Sequence, residues 1–343
     1  MFDDFLTGAV FGAALRASGV HEPAIIASQL NATNWHMVQT FLAGSGTSVL
    51  LVALIQRLGY LRLKPRDYSS LGLFARCDGN ILGGLLLGAG MALSGSCPGT
   101  VFVQLGAGIP SGFYTLAGCV LGGMVWSGIL GPALKKRTKT AVVDKPNKTN
   151  RPQLAQLTIF EYLGASGFST ALGLTALFAA IVAIISLFAP PQTRGVVWPI
   201  AGGFLIAIAQ MVSILIRNKL LGTSMSFEEA GAYFCWVIKG RDSPKPGSYG
   251  TTVLTAGMIA GALLLPLIAT SASVTTLTPP IRDPIWPIRA MVGGILLALG
   301  SRMGGGCTSG HGISGVSLLS VSSFISVVAM FGGGMAVAIL CGL

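Results

Sequence analysis

Nine long apolar runs follow one another along the chain, separated by polar stretches. They lie near residues 5–20, 38–58, 79–95, 111–134, 165–189, 196–216, 251–270, 286–303 and 317–342. Because a helix needs about 20 apolar residues to cross a bilayer, these runs predict an all-α protein with about nine membrane segments. The runs at 79–95 and 286–303 are shorter and each leads into a glycine-rich motif, which predicts broken or re-entrant helices.

Each of these two motifs holds one cysteine. The first reads GSCPGT, from Gly95 to Thr100, and the second reads GSRMGGGCTSGHGISG, from Gly300 to Gly315. Cys307 follows Cys97 by 210 residues, and at that offset six glycines coincide with six others: Gly83, Gly84, Gly90, Gly95, Gly122 and Gly123 with Gly293, Gly294, Gly300, Gly305, Gly332 and Gly333. The pattern predicts an internal repeat, and interrupted helices at matching points are typical of a transporter's substrate site.

A polar, basic stretch, KKRTKTAVVDKPNKTNRPQLA, separates the two halves. We interpret residues 135–155 as a flexible cytoplasmic linker, residues 1–134 as the first repeat, 156–190 as a connecting membrane helix and 191–343 as the second repeat. Each repeat holds four apolar runs. Because one extra helix lies between them, the second repeat enters the membrane from the opposite side, which predicts inverted repeats.

The basic residues are distributed asymmetrically over the loops. If loops alternate between two sides, 17 of the 22 Lys and Arg fall on one side: Arg57, Arg62, Lys64, Arg66, Arg76, Lys135, Lys136, Arg137, Lys139, Lys145, Lys148, Arg151, Arg217, Lys219, Lys239, Arg241 and Lys245. Positively charged loops stay in the cytoplasm. This asymmetry predicts that the amino terminus is cytoplasmic and that the carboxy terminus lies outside. We expect the membrane to be the plasma membrane.

The composition agrees with the membrane class. The chain of 343 residues is 52% hydrophobic and 10% charged, with a mean hydropathy of +0.73. Asp3 and Asp4 stand where a secretory signal would be basic, so the first run predicts a retained membrane helix in the lipid bilayer. The net charge is +11, but the sequence contains no basic helix and no basic patch with interspersed aromatic residues. We therefore expect no nucleic-acid partner.

No cofactor or metal is expected. The six cysteines have no metal-ligand spacing, and no flavin, haem or iron–sulfur motif is present. Four of them, Cys77, Cys119, Cys235 and Cys341, are interpreted as packing residues.

The two motifs predict half-helices whose amino termini meet inside the membrane. Pro98 would begin one half-helix, with Ser96 or Cys97 at its cap, and Thr308 or Ser309 would cap the other. Such termini present free N–H groups and a positive dipole, which suit an anion. The predicted substrate path comprises Ser96, Cys97, Pro98, Gly99, Arg302, Cys307, Thr308, Ser309, Gly310 and His311.

Several alternatives remain open at this point. A thiol is a weak donor that can hold an anion without trapping it, but Cys97 and Cys307 could instead exchange disulfides or transfer sulfur in a membrane enzyme. A structural scaffold is a third reading. Arg302 and His311, ionisable groups inside a membrane segment, either contact the substrate or fix the glycine-rich loop.

At these motifs the chain resembles the YeeE/YedE sulfur-transport family of integral membrane proteins. The resemblance implies an hourglass of inverted repeats that takes up thiosulfate or a related small sulfur anion, with relay cysteines that match Cys97 and Cys307. The family usually has a further cysteine near the end of the first helix, where this chain reads Val20-His21-Glu22. His21 is therefore a candidate donor at the mouth of the path.

The resemblance leaves some points open. Sulfide, sulfite and selenium analogues remain alternative substrates, and a cytoplasmic sulfur-handling partner is not identified. Three arginines in the predicted outside loops are expected to gather the anion: Arg194, Arg282 and Arg289.

Overall fold

The computed structural model describes residues 1–134, 157–189, 195–239, 247–268 and 285–342. Within these ranges the chain forms helices and no β-strand. The helices are α1 (Phe2–Ala17), α2 (Pro23–Leu30), α3 (His36–Arg57), α4 (Asp78–Ser94), α5 (Thr100–Ala107), α6 (Pro110–Val125, continued by a π-helical turn Trp126–Leu130), α7 (Ile159–Leu163), α8 (Gly167–Phe188), α9 (Pro199–Arg217), α10 (Met225–Lys239), α11 (Gly250–Ile268), α12 (Pro287–Met303), the π-helix α13 (Thr308–Gly315) and α14 (Val321–Cys341).

Each apolar run of the sequence contains one of the longer helices, but the helices differ in length. Six described helices are long and apolar enough to cross a bilayer, namely α3, α6, α8, α9, α11 and α14. A seventh candidate span consists of α12 and α13, which are bent by 43° at the break between them. α1 and α4 have only 16 and 17 residues. The chain is therefore an all-helical protein with six or seven candidate membrane spans among its described residues.

The sequence pattern did not predict α2, α7 and α10. α2 and α7 have 8 and 5 residues, too few to show a helical period. α10 is longer, but its sequence MSFEEAGAYFCWVIK carries adjacent glutamates and does not form an apolar run. The linker 135–155 and the side chains of Arg194 and Arg282 lie outside the described residues.

The longer helices pack in two sets, one that includes α4 and α12 and one that includes α1 and α11. α4 lies along α12 and α14, and α12 also lies along α6. α1 lies along α11 and α9, while α3 packs on α9 and α8. α8 is peripheral, because 11% of its most apolar 18-residue window is buried, against half of that window in α3 and in α9.

Glycines allow very close contacts between helices, as at the crossing of α1 and α11. A Cβ at Gly12 would lie 2.1 Å from the carbonyl oxygen of Met258, and a Cβ at Gly261 would lie 1.9 Å from that of Ala9. Since these atoms belong to the backbone, a side chain could be accommodated only if the helices moved apart. Small residues at such crossings allow close packing where lipid gives no hydrophobic driving force.

The segment 58–77 between α3 and α4 folds onto the second cysteine motif. The Ser69 hydroxyl donates to the carbonyl oxygen of Met303 at 2.6 Å, at the end of α12. The Arg66 N–H donates to the Ser320 hydroxyl at 2.9 Å, and the Ser322 hydroxyl donates to the Arg66 carbonyl at 3.0 Å. Those serines stand at the start of α14. This connector is therefore a fixed part of the site's surroundings.

We expect Gly12→Ala to destabilise the protein by about 1–3 kcal/mol, because the methyl group forces α1 away from α11. Gly173→Ala in α8 is the matched control, since a Cβ there meets nothing within 4 Å. It should leave stability unchanged or raise it by about 0.5–1 kcal/mol, through the better helix propensity of alanine. Thermal unfolding of the two purified variants in one detergent checks this, and equal stability would contradict the packing argument.

Candidate substrate path

The first cysteine motif begins where α4 ends. Gly95 has φ of 56°, a left-handed conformation that stops the helix at Ser94. The Cys97 N–H donates to the Thr100 hydroxyl at 2.8 Å, and the Thr100 N–H donates to the Cys97 sulfur at 3.4 Å. This reciprocal pair starts α5 at Thr100 rather than at Pro98, where the sequence placed the first helical residue.

A buried amide holds the backbone of this break. The Gln104 Nε2 donates to the carbonyl oxygens of His21, at 2.8 Å, and Gly95, at 3.0 Å. Its Oε1 accepts from the Ser96 hydroxyl at 2.8 Å. Gln104 is fully buried, so one side chain supplies partners that water cannot supply at this depth.

The second motif breaks in the same way. α12 ends at Met303, and Gly305 is left-handed with φ of 77°. The carbonyl oxygen of Gly304 accepts from two buried side chains, the Asn80 Nδ2 at 3.2 Å and the His311 Nε2 at 3.0 Å. Because a carbonyl only accepts, the His311 proton is assigned to Nε2.

His311 belongs to the framework of this motif. Its Nδ1 lies 3.0 Å from the Ser323 hydroxyl, so both ring nitrogens have protein partners. A Cβ at Gly306 would lie 2.8 Å from His311 Nε2. Of the two roles open for His311, the contacts support fixing the glycine-rich loop.

The two cysteine motifs meet at Thr223, in the turn before α10. The Thr223 hydroxyl donates to the Pro98 carbonyl oxygen at 3.1 Å and lies 3.6 Å from the Cys307 sulfur. The Ser309 hydroxyl lies 3.2 Å from the same sulfur. Thr223 and Cys307 are both fully buried. A single hydroxyl therefore joins the backbone of the first motif to the thiol of the second.

A narrow cavity of about 60 Å³ lies between the motifs. Its lining includes Cys97, Thr100, Thr308 and Ser309, and the rest is almost wholly apolar: Phe11, Leu15, Val20, Met37, Thr40, Phe41, Gly44, Gly99, Ile206 and Ile313. The Thr308 hydroxyl is buried and has no hydrogen-bond partner among the described residues. Buried polar groups are normally paired, so this hydroxyl is a free donor for a molecule in the cavity.

Arg66 approaches the second motif from the connector 58–77. Its Nη1 donates to the Gly305 carbonyl oxygen at 3.0 Å. A Cβ at Gly310 would lie 3.3 Å from Arg66 Nη2 and 3.8 Å from the Cys307 sulfur. The sequence marked Arg66 only as one of many loop charges.

Two of the arginines singled out in the sequence, Arg302 and Arg289, have protein partners. Arg302 forms an ion pair with Glu228 and donates to the Met225 sulfur at 2.8 Å. Arg289 donates to the carbonyl oxygens of Leu93, at 2.9 Å, and Ala92, at 3.1 Å, at the end of α4. These contacts support structural roles.

His21 lies in the turn between α1 and α2, outside the cavity lining. The residue is buried, and within the described ranges its Nδ1 has no hydrogen-bond partner. Its backbone carbonyl is held by Gln104, which connects this turn to the first motif.

Sequence reasoning missed Thr223, Gln104 and Arg66. None of them lies within GSCPGT or the second motif: Gln104 follows GSCPGT, Thr223 follows the loop NKLLG, and Arg66 is surrounded by other charges. Each contributes through a contact with a residue distant in the chain. The offset of 210 residues singles out only cysteines and glycines that occur in both halves, and none of these three residues is one of them.

The helices, the paired cysteine motifs and the cavity between them define a polytopic helical membrane protein with a small cavity at the two motifs. A family model described as Sulphur transport matches residues 18–336, nearly the whole chain. The chain belongs to this family, which confirms the resemblance seen at the two motifs.

Named relatives agree with this assignment. The chain is 24% identical over 294 residues to "Thiosulfate transporter TsuA" of Spirochaeta thermophila, which covers 82% of this chain and 80% of that protein. It is 30% identical over 145 residues to a "Probable transporter" of Xylella fastidiosa, which covers 42% of this chain and 94% of that protein. The protein is thus a membrane transporter of the sulfur-transport family.

Gln104→Leu should lower stability by about 1–3 kcal/mol, because it leaves two buried carbonyl oxygens and the Ser96 hydroxyl without partners. Gln56→Leu is the control, since Gln56 is exposed and donates to the Leu63 carbonyl at 3.3 Å. Its effect should stay within about 0.5 kcal/mol. Denaturation in detergent measures both variants, and a Gln104→Leu protein as stable as the control would refute the bracing role.

Proposed function

We propose that this transporter takes up a small sulfur-containing anion, thiosulfate first, along a path from Cys97 to Cys307. The observation that carries the proposal is the cavity between the motifs, which brings the Cys97 thiol and the unpartnered Thr308 hydroxyl to one apolar chamber. The relative named as a thiosulfate transporter, aligned over most of both chains, supports the choice of substrate.

The chemistry of the chamber suits transient binding. A neutral thiol is a weak donor, and an alcohol is a stronger one. Together they can hold the sulfur and oxygen atoms of an anion without binding it tightly, and conduction needs binding that is weak enough for release. Passage from Cys97 to Cys307 requires a shift at Thr223, whose hydroxyl bridges the Pro98 carbonyl and the Cys307 sulfur.

We further propose that the chain consists of two inverted repeats with nine membrane segments. At the offset of 210 residues α3, α4, α5 and α6 fall on α11, α12, α13 and α14, and α1 and α2 precede α3 in the same order as α9 and α10 precede α11. Packing contacts occur in exchanged pairs: α4 with α14 and α12 with α6, α1 with α11 and α9 with α3, α5 with α11 and α13 with α3. A two-fold relation between the halves produces such pairs, and the left-handed Gly95 and Gly305 match as well.

The length of one relative supports the same division. The Xylella fastidiosa protein aligns over 94% of its length to 42% of this chain. This relative is therefore about as long as one proposed repeat, as expected if each repeat is a separate structural unit.

Uptake of thiosulfate should be lost in Cys97→Ala and in Cys307→Ala, because each removes a thiol from the path. Cys119→Ala is the matched control: Cys119 is equally buried in α6 and was interpreted as packing. Uptake would be measured in cells without other routes for thiosulfate, at equal membrane abundance of each variant.

Either cysteine variant with parental uptake would contradict the relay. A persulfide or disulfide trapped on these thiols during turnover would instead support the sulfur-transfer alternative. A parent that takes up no thiosulfate would refute the substrate assignment, and sulfite and sulfide are the anions to test next.

The orientation predicts which loops an impermeant thiol reagent reaches. In a Cys341→Ala background, Thr33→Cys, in the exposed turn between α2 and α3, should be labelled in intact cells. Lys64→Cys, exposed in the connector 58–77, should be labelled only after permeabilisation. The positive charges of that connector give the physical reason. The reverse labelling pattern would overturn the proposed topology.

A further inference from the structure

Arg66 is a cation beside the Cys307 thiol, and no carboxylate pairs with it in the part of the chain that the structure describes. Among those residues its guanidinium makes one hydrogen bond, to the Gly305 carbonyl oxygen at 3.0 Å. Among the described residues, every ion pair within 4.0 Å is formed by other groups. A guanidinium has five N–H donors, so most of its capacity remains free. A half-buried cation with free donors is suited to bind an anion.

The glycines of the second motif make room for this guanidinium. A Cβ at Gly306 would lie 2.9 Å from Arg66 Nη1, and a Cβ at Gly310 would lie 3.3 Å from Arg66 Nη2. Neither glycine has a positive φ. The backbone conformation therefore does not require glycine at either position; the lack of a side chain leaves room for Arg66 at both glycines and for His311 at Gly306.

The cation and the thiol both lie close to Gly310. The Cβ position of Gly310 is 3.8 Å from the Cys307 sulfur as well as 3.3 Å from Arg66 Nη2, so both groups are near one small residue. The Ser309 hydroxyl lies 3.2 Å from this sulfur. A thiol, a hydroxyl and a guanidinium thus stand within the reach of one small anion.

The Arg66 backbone is held in place from both sides. Its N–H donates to the Ser320 hydroxyl at 2.9 Å and its carbonyl accepts from the Ser322 hydroxyl at 3.0 Å. The guanidinium is therefore supplied by a fixed stretch of the connector, which reduces the conformational entropy lost when an anion binds.

We propose that Arg66 is a substrate-binding residue, which with Cys307 and Ser309 forms the site where the anion leaves the narrow path on the side of the connector 58–77. This proposal rests on the proposed function and names the ligand class more closely. The guanidinium binds the oxyanion end through paired N–H donors, and the thiol faces the terminal sulfur. The site fits an anion with both features, so sulfate and sulfide are poorer ligands than thiosulfate.

The test compares the concentration dependence of thiosulfate uptake in Arg66→Gln, Arg66→Lys and Arg62→Gln. Arg62 is an exposed residue of the same connector, so its variant removes an equal charge without touching the motif. Arg66→Gln should raise the half-saturating concentration about tenfold or more, since it removes a charge-assisted contact. Arg66→Lys should give an intermediate half-saturating concentration, because lysine keeps the positive charge but lacks the paired N–H donors of the guanidinium. Arg62→Gln should have the half-saturating concentration of the parent.

A purely structural role for Arg66 predicts a different result. Loss of its bond to Gly305 alone would lower abundance or maximal rate and leave the half-saturating concentration unchanged, and that outcome overturns the proposal. Gly310→Ala gives a second test that keeps the charge, because its methyl group would contact both the guanidinium and the sulfur. It should also raise the half-saturating concentration, while Gly332→Ala, which meets nothing within 4 Å, should not.

Binding to the purified protein separates this proposal from the substrate assignment. Thiosulfate should raise the thermal unfolding midpoint of the parent and of Arg62→Gln more than sulfate does, and the rise should be lost in Arg66→Gln. If the parent transports no thiosulfate but shows this Arg66-dependent rise, the proposed function fails and the anion site stands. If thiosulfate gives the parent no rise, or gives Arg66→Gln an equal one, the anion site is refuted.

Discussion

Backbone polar groups inside a membrane must find partners within the protein, and this constraint governs the centre of the molecule. Two helices stop at left-handed glycines, Gly95 and Gly305, and both breaks leave carbonyl groups unpaired by helix bonds. Buried amides, Gln104 at the first break and Asn80 at the second, fill that need. Because these braces are fully buried, the breaks are fixed features on which thiols and hydroxyls can be positioned.

The surrounding packing keeps the breaks together. The helices approach at glycines so closely that a Cβ would meet backbone atoms, as at Gly12 against Met258 and at Gly83 against Gly304. The second contact lies directly at the break before Cys307, so helix packing and site geometry share the same atoms. Thr223 then joins the motifs through one hydroxyl. In the proposed relay, movement of substrate between the cysteines would require a change at this contact.

The sequence predicted the helical runs, both breaks and the two central cysteines from local pattern and from one repeat offset. It assigned ionisable residues less well. Arg302 was a candidate for the anion, but it is paired with Glu228 from another helix. Arg66 was one charge among many, but it reaches the second motif through a connector that folds back. No local pattern distinguishes a paired arginine from a free one, because the partner is distant in the chain.

The sequence by itself determined that the protein is helical and membrane-embedded, with a cysteine at each of two matched breaks. Hydropathy and glycine spacing carry that information, since both depend on residues near one another or on a constant offset. Tertiary structure alone decided which groups share the cavity, which hydroxyl lacks a partner and which cation stands beside Cys307. Those facts depend on how separate helices and the connector 58–77 meet, and meeting distances of a few ångströms are set by packing of the whole chain.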